Sequence, residues 1–113
     1  MLKKITASNG DEFTFVCEWR NKRNGFAHDC TVYRGTYEMR KESCHYLNRT
    51  WESYTYQSVM RDAMHELINE QKNRGISDYK TQNGVRRMTQ EQKDAMTAND
   101  PTIKIYQEIL DQL

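Results

Sequence analysis

The stretch Glu12-Phe13-Thr14-Phe15-Val16-Cys17-Glu18-Trp19-Arg20 alternates between apolar and polar residues with a period of two. Phe13, Phe15, Cys17 and Trp19 fall on one side, Thr14, Glu18 and Arg20 on the other, with Val16 the exception. Successive side chains of a strand point to opposite faces, so the pattern reads as a half-buried strand. Asn24-Gly25 follows. That dipeptide favours a tight hairpin, because a type I′ turn needs φ > 0 at both central residues. With those residues as the loop, Trp19 is expected opposite Cys30 and Cys17 opposite Val32. Arg20 then faces Asp29 as a cross-strand ion pair.

Downstream of Arg34-Gly35 a third strand is expected over Met39 to Leu47. Tyr37 to Leu47 can also be read as a short helix, and periodicity alone does not separate the two. The preceding turn and a hairpin's need for a third strand favour the strand. Tyr56, Val59, Met60, Ala63, Met64, Leu67 and Ile68 then repeat at helical spacing, with Thr55 as N-cap and Gly75 after Arg74 as the stop. Residues 76–88 read as a loop with an Asn83-Gly84 turn. Thr89-Gln90-Glu91-Gln92 is a capping box, and Asp100-Pro101 opens a last helix with the stripe Ile103, Tyr106, Leu110 and Leu113.

The expected fold is therefore α+β: a small three-stranded antiparallel sheet packed by one long amphipathic helix, plus two short C-terminal helices. In this single domain the sheet occupies residues 1–53, the main helix 54–75, and the loop and C-terminal helices 76–113. Trp19, Met64 and Leu67 are expected to be buried together, since the strand face and the helix stripe are the two largest apolar surfaces.

The 113 residues suit one domain, and the twelve Phe, Trp and Tyr residues supply bulk to a core that is otherwise thin, at 36% hydrophobic. No apolar run reaches membrane-spanning length, and the basic start Met1-Leu2-Lys3-Lys4 has no apolar stretch behind it to make a secretory signal. Cys17, Cys30 and Cys44 are an odd set without disulfide-framework density, so reduced thiols in a cytosol are expected. Net charge is +1, with both signs spread along the chain. An electrostatic grip on DNA would need a larger excess of base.

Cys17, His28 and Cys30 could approach one another across the hairpin, but structural zinc sites draw on tight Cys-x₂₋₄-Cys or His-x₃₋₅-His knuckles, and none is present. Cys17 and Cys30 sit where small hydrophobes fit a core, so no metal or cofactor is expected. Cys44 and His45 are strand neighbours on opposite faces and cannot pair directly. There is no Gly-rich phosphate loop and no His-Glu-x-x-His. The expectation is a non-enzyme, with a small thiol- or metal-dependent enzyme as a third class. Arg20, Lys22 and Arg23 cluster at the hairpin tip, where they could contact nucleic acid or simply keep a turn solvated.

Tyr46-Leu47-Asn48-Arg49-Thr50-Trp51-Glu52-Ser53-Tyr54-Thr55-Tyr56-Gln57 is the most unusual string. Its bland reading is structural: Trp51 and Tyr54 close the end of the core while Arg49 and Glu52 pair at the surface. The run Asn48 to Glu52, followed by Tyr54 and Tyr56-Gln57 and preceded by Gly25-Phe26-Ala27-His28, resembles small proteins encoded by phages and mobile elements. That group includes counter-defence proteins, anti-CRISPR inhibitors among them. The resemblance spans about residues 13–68 and implies a protein of the host-cell cytosol that occludes a host protein complex, such as a CRISPR nuclease. The runner-up is a nucleic-acid-binding regulatory protein using the basic hairpin. Candidate partner contacts are Arg20, Lys22, Arg23, Arg49, Trp51, Glu52 and Tyr54. Ile105 and Ile109 join them because they widen the last helix's apolar face beyond what a small sheet requires, which points to a partner or a homodimer.

Overall fold

A computed structural model describes the backbone of residues 1–22, 25–47 and 56–113 and the side chains of 1–20, 27–44 and 56–113. Among the described residues the chain forms strands β1 (Leu2–Thr6), β2 (Glu12–Lys22), β3 (Gly25–Arg34) and β4 (Tyr37–Leu47), then helices α1 (Tyr56–Asn83), α2 (Gln90–Asn99) and α3 (Pro101–Asp111). The strands form one antiparallel meander in the order β1-β2-β3-β4, and the helices pack on one of its faces. The α+β class holds, and so does the strand reading of residues 37–47. The sheet, however, has four strands, not three. β1 escapes the period-two pattern because it is an edge strand that buries only Ile5. Lys3 and Lys4 on such an edge discourage pairing with another chain.

The hairpin register differs from expectation by two residues. Trp19 lies opposite His28, Cys17 opposite Cys30, Phe15 opposite Val32, and Lys22 opposite Gly25. The expected register would have set Arg34 opposite Phe15, which is fully buried. A guanidinium there would have been stranded in the core. In the observed register Arg34 lies opposite Phe13 at the strand end, donates from Nε to Asp11 Oδ2 at 2.9 Å, and stacks 5.5 Å from the Phe13 ring centre. A slip of two preserves which residues face inward. Arg20 still reaches Asp29, now on the diagonal.

The core joins Ile5, Phe13, Phe15, Cys17, Cys30 and Val32 of the sheet to Val59, Met60, Ala63, Met64, Leu67 and Ile68 of α1 and Ile103, Tyr106, Ile109 and Leu110 of α3. Trp19 is not among them. It remains 53% exposed, because among the described residues the helical cover ends between Cys17 and Trp19. Tyr56 at the start of α1 reaches only as far as His28, its ring 5.0 Å away and edge-on.

Gly75 does not end the main helix, which runs on to Asn83. Glycine in a helix interior costs only about 1 kcal/mol, and the polar residues that follow propagate the helix. The stop is Gly84, at φ +61°, with the Val85 N–H donating to the Lys80 carbonyl at 3.0 Å in a Schellman arrangement. Thr89 closes the capping box of α2 with Gln92, and Asp100 caps α3 through the N–H groups of Thr102 and Ile103. Gln57 Nε2 donates to the Leu113 carbonyl at 2.8 Å and Arg61 Nη1 to the Leu110 carbonyl at 3.2 Å, so α1 side chains satisfy the end of α3.

Candidate interaction surface

Among the described residues, two places on this frame present chemistry to solvent. The first is the sheet end that carries Trp19 and Arg20. Trp19 stands on the helix-facing side, beyond the core, while Arg20 stands on the open side. Arg20 holds Asp29 in a two-pronged pair, with Nη2 to Oδ1 at 3.0 Å, and Ser43 Oγ donates to the same Oδ1 at 2.6 Å. Its hydrogen bonds to Asp29 raise the Arg20 pKa further, so its charge is permanent but locally balanced.

The second is a cleft of about 110 Å³ between the start of β4, α1 and α3, lined by Tyr37, Met39, Leu67, Glu70, Gln71, Arg74 and Tyr106. Tyr37 is 70% exposed at its rim. Burial pushes the Tyr106 hydroxyl up, and the nearby Arg34 and Arg74 charges oppose that shift. Glu70 is engaged with Arg40 of β4, which also holds Glu42 at 2.8 Å and Glu66 at 3.9 Å. The cleft is walled by aromatic and charged side chains. Its residues come from positions 37, 74 and 106, and no local pattern in the sequence marks them as neighbours.

Of the contacts expected from sequence, Arg20 is on the surface. The Lys22 backbone belongs to β2, but its side chain, with Arg23, Arg49, Trp51, Glu52 and Tyr54, lies outside the described residues. Ile109 needs correcting. It is fully buried in the chain's own core, where α3 rolls onto α1 more deeply than the Ile103-Tyr106-Leu110 stripe suggests, and it offers no surface in the folded monomer. Ile105 packs half-buried against the edge of the same core.

The three cysteines are free thiols. Among the described residues, no group of three or more His, Cys, Asp or Glu is arranged to hold a metal ion. Within the proposed trio, His28 lies opposite Cys44, and Cys17 and Cys30 lie opposite each other. No helix among the described residues is long and apolar enough to cross a membrane. No family model matches the chain, and no characterised protein or solved structure matches it either.

Proposed function

We propose that this chain is a non-enzymatic accessory protein of a phage or mobile element that binds and inhibits a host protein complex, the case implied by its resemblance being a CRISPR nuclease. The observation that carries the reading is the sheet end beyond the helical cover, where a tryptophan on the helix-facing side is 53% exposed. Tryptophan and arginine dominate the energetics of protein interfaces, because each buries a large area while keeping a directional polar group. The position of Trp19 beyond the core lets a partner cover it without disturbing the fold. The Arg20–Asp29–Ser43 cluster favours a protein over a nucleic acid, since a guanidinium already balanced by a carboxylate adds little to a phosphate grip.

The test is gel filtration of the purified chain with purified CRISPR effector complexes, at low salt and at high salt, alongside an interference assay in cells expressing the chain. Co-elution that survives high salt, loss of interference, and loss of both in Trp19→Ala at an unchanged melting temperature are expected. Binding only to nucleic acid, abolished by salt, would replace this reading with the nucleic-acid regulator. No effect on any effector complex would remove the inhibitor assignment.

A further inference from the structure

Cys17 on β2 and Cys30 on β3 are directly opposite each other, and both are buried on the helix-facing side of the sheet. The backbone tells which kind of pair they form. The Cys17 N–H donates to the Met1 carbonyl at 2.8 Å, and the Cys17 carbonyl accepts from the Met1 nitrogen at 2.8 Å. Both polar groups of Cys17 are therefore turned towards β1 and away from β3. An antiparallel residue that bonds on one side is a non-hydrogen-bonded partner on the other. In such pairs the Cα atoms lie about 4.5 Å apart and the side chains make their closest approach. That separation falls within the roughly 4.4–6.8 Å that disulfides span.

We propose that Cys17 and Cys30 form a reversible dithiol–disulfide couple across β2 and β3, with a low-molecular-weight disulfide as the oxidant. The two side chains leave directly opposed strand positions on the same buried face of the sheet. The hydrogen bond from Cys30 pulls the Cys17 thiol below its ordinary value, against the effect of burial. The same bond, with burial, pushes the Cys30 thiol well up. One of the two sulfurs loses its proton and attacks the reagent, and the other resolves the resulting mixed disulfide. One Sγ–Sγ bond forms and the reagent's S–S bond breaks. The electron pair lost by the two cysteines reduces the reagent, and their two protons leave with its two thiols. Burial sets the rate, since the reagent gains access only when α1 lifts from the sheet. It does not set the equilibrium. Cys44 stays outside the couple: it lies opposite His28 and its thiol donates to Asp62 Oδ2 at 3.5 Å.

The experiment equilibrates the full chain in mixtures of reduced and oxidised glutathione, started from both the reduced and the oxidised protein until the two agree. Free thiols are then alkylated in denaturant and the products mapped after trypsin. Cleavage after Arg20, Lys22, Arg23, Arg34, Arg40 and Lys41 places the three cysteines on separate peptides. The expected product is a Cys17–Cys30 linked pair with Cys44 not bonded to either, formed equally in Cys44→Ser. The oxidised chain should also unfold at higher urea than the reduced chain, a shift absent in Cys17→Ala. Three alkylated thiols at every glutathione ratio would overturn the proposal, as would a dominant link from Cys44 to either partner. So would an oxidised chain that unfolds at lower urea, because the bond would then not fit the folded sheet.

Discussion

Replacing Ile109 with alanine tests whether α3 belongs to the chain's own core. Ile109 has 0% of its surface exposed. The substitution removes three carbons from full burial, a transfer loss of about 2.5 kcal/mol at about 0.8 per methyl or methylene. The site cannot collapse freely, because α3 is held to α1 by the Gln57 and Arg61 bonds and to the β1–β2 turn by Ser8, whose hydroxyl donates to Glu108 Oε2 at 2.8 Å. The residual cavity adds about 1 kcal/mol. The total of about 3–4 kcal/mol is a large share of the roughly 5–15 kcal/mol that holds a typical domain. Urea unfolding followed by circular dichroism should show the midpoint falling by about 2 M, given a slope of about 1–3 kcal/mol per molar urea for a small protein. Ile105→Ala, at a half-buried position, should cost no more than about 1 kcal/mol. If the two variants lose equal stability, or if Ile109→Ala loses less than about 1 kcal/mol, the packing argument fails and Ile109 returns as a candidate interface residue.

Gly75→Ala should stabilise by about 0.5–1 kcal/mol, because the helix continues through it and a Cβ would meet only Asp100 Oδ2 at 3.9 Å. Gly84→Ala should instead destabilise, since φ there is +61°; calorimetry in which both variants move the melting temperature the same way would contradict the assigned helix end. Asp11 is held below the usual carboxylate range by its hydrogen bonds from Arg34 and then Asn9. Its contribution is therefore complete above that range and is lost as pH falls through the depressed value, so the stability gap between wild type and Asp11→Asn should close on acidification. A gap independent of pH would show that the pair does not act through charge. Arg40→Ala should cost about 1 kcal/mol, more at low salt than at high, by leaving Glu42, Glu66 and Glu70 facing one another; adding Glu70→Gln should recover part of the loss, and strict additivity of the two would show they are not coupled.

The faces of the sheet were legible because alternation survives any slip of two residues. The register was not, because Asn24-Gly25 is a local signal while Arg34 decides the matter from the far end of the strand. β1 was hidden because an edge strand need bury only one side chain, and Ile5 alone makes no pattern. The two glycines that could end α1 look alike in sequence. They differ in what surrounds them: Gly75 faces the Asp100 corner, whereas nothing lies within 4 Å of the Cβ position at Gly84. The Arg20–Asp29 pair was legible at the candidate surface, as the two are close under either register. The cleft of Tyr37, Arg74 and Tyr106 was not, because it forms only after three elements have packed.

The acidic residues of α1 carry the same lesson further. Asp62, Glu66 and Glu70 recur every four residues along α1. In the structure they face β4, with Asp62 accepting from the Cys44 thiol and Glu66 and Glu70 meeting Arg40. Arg40 and Cys44 occupy inward positions, opposite Val32 and His28. The inner face of the sheet is thus divided, apolar under β1, β2 and most of β3 and mixed under β4, where Arg40 and Glu42 stand between Met39 and Cys44. The spacings agree: eight residues of helix advance about 12 Å, and four residues of strand about 13 Å. A helix sliding along the sheet by one turn would keep its apolar stripe on an apolar surface at little cost. In one direction it would bring Arg74 to Arg40 in place of Glu70; in the other, Glu66 would replace Glu70 but Asp62 would leave the Cys44 thiol. The apolar contacts therefore set how deeply α1 sits, and the acidic stripe sets where along β4 it stops.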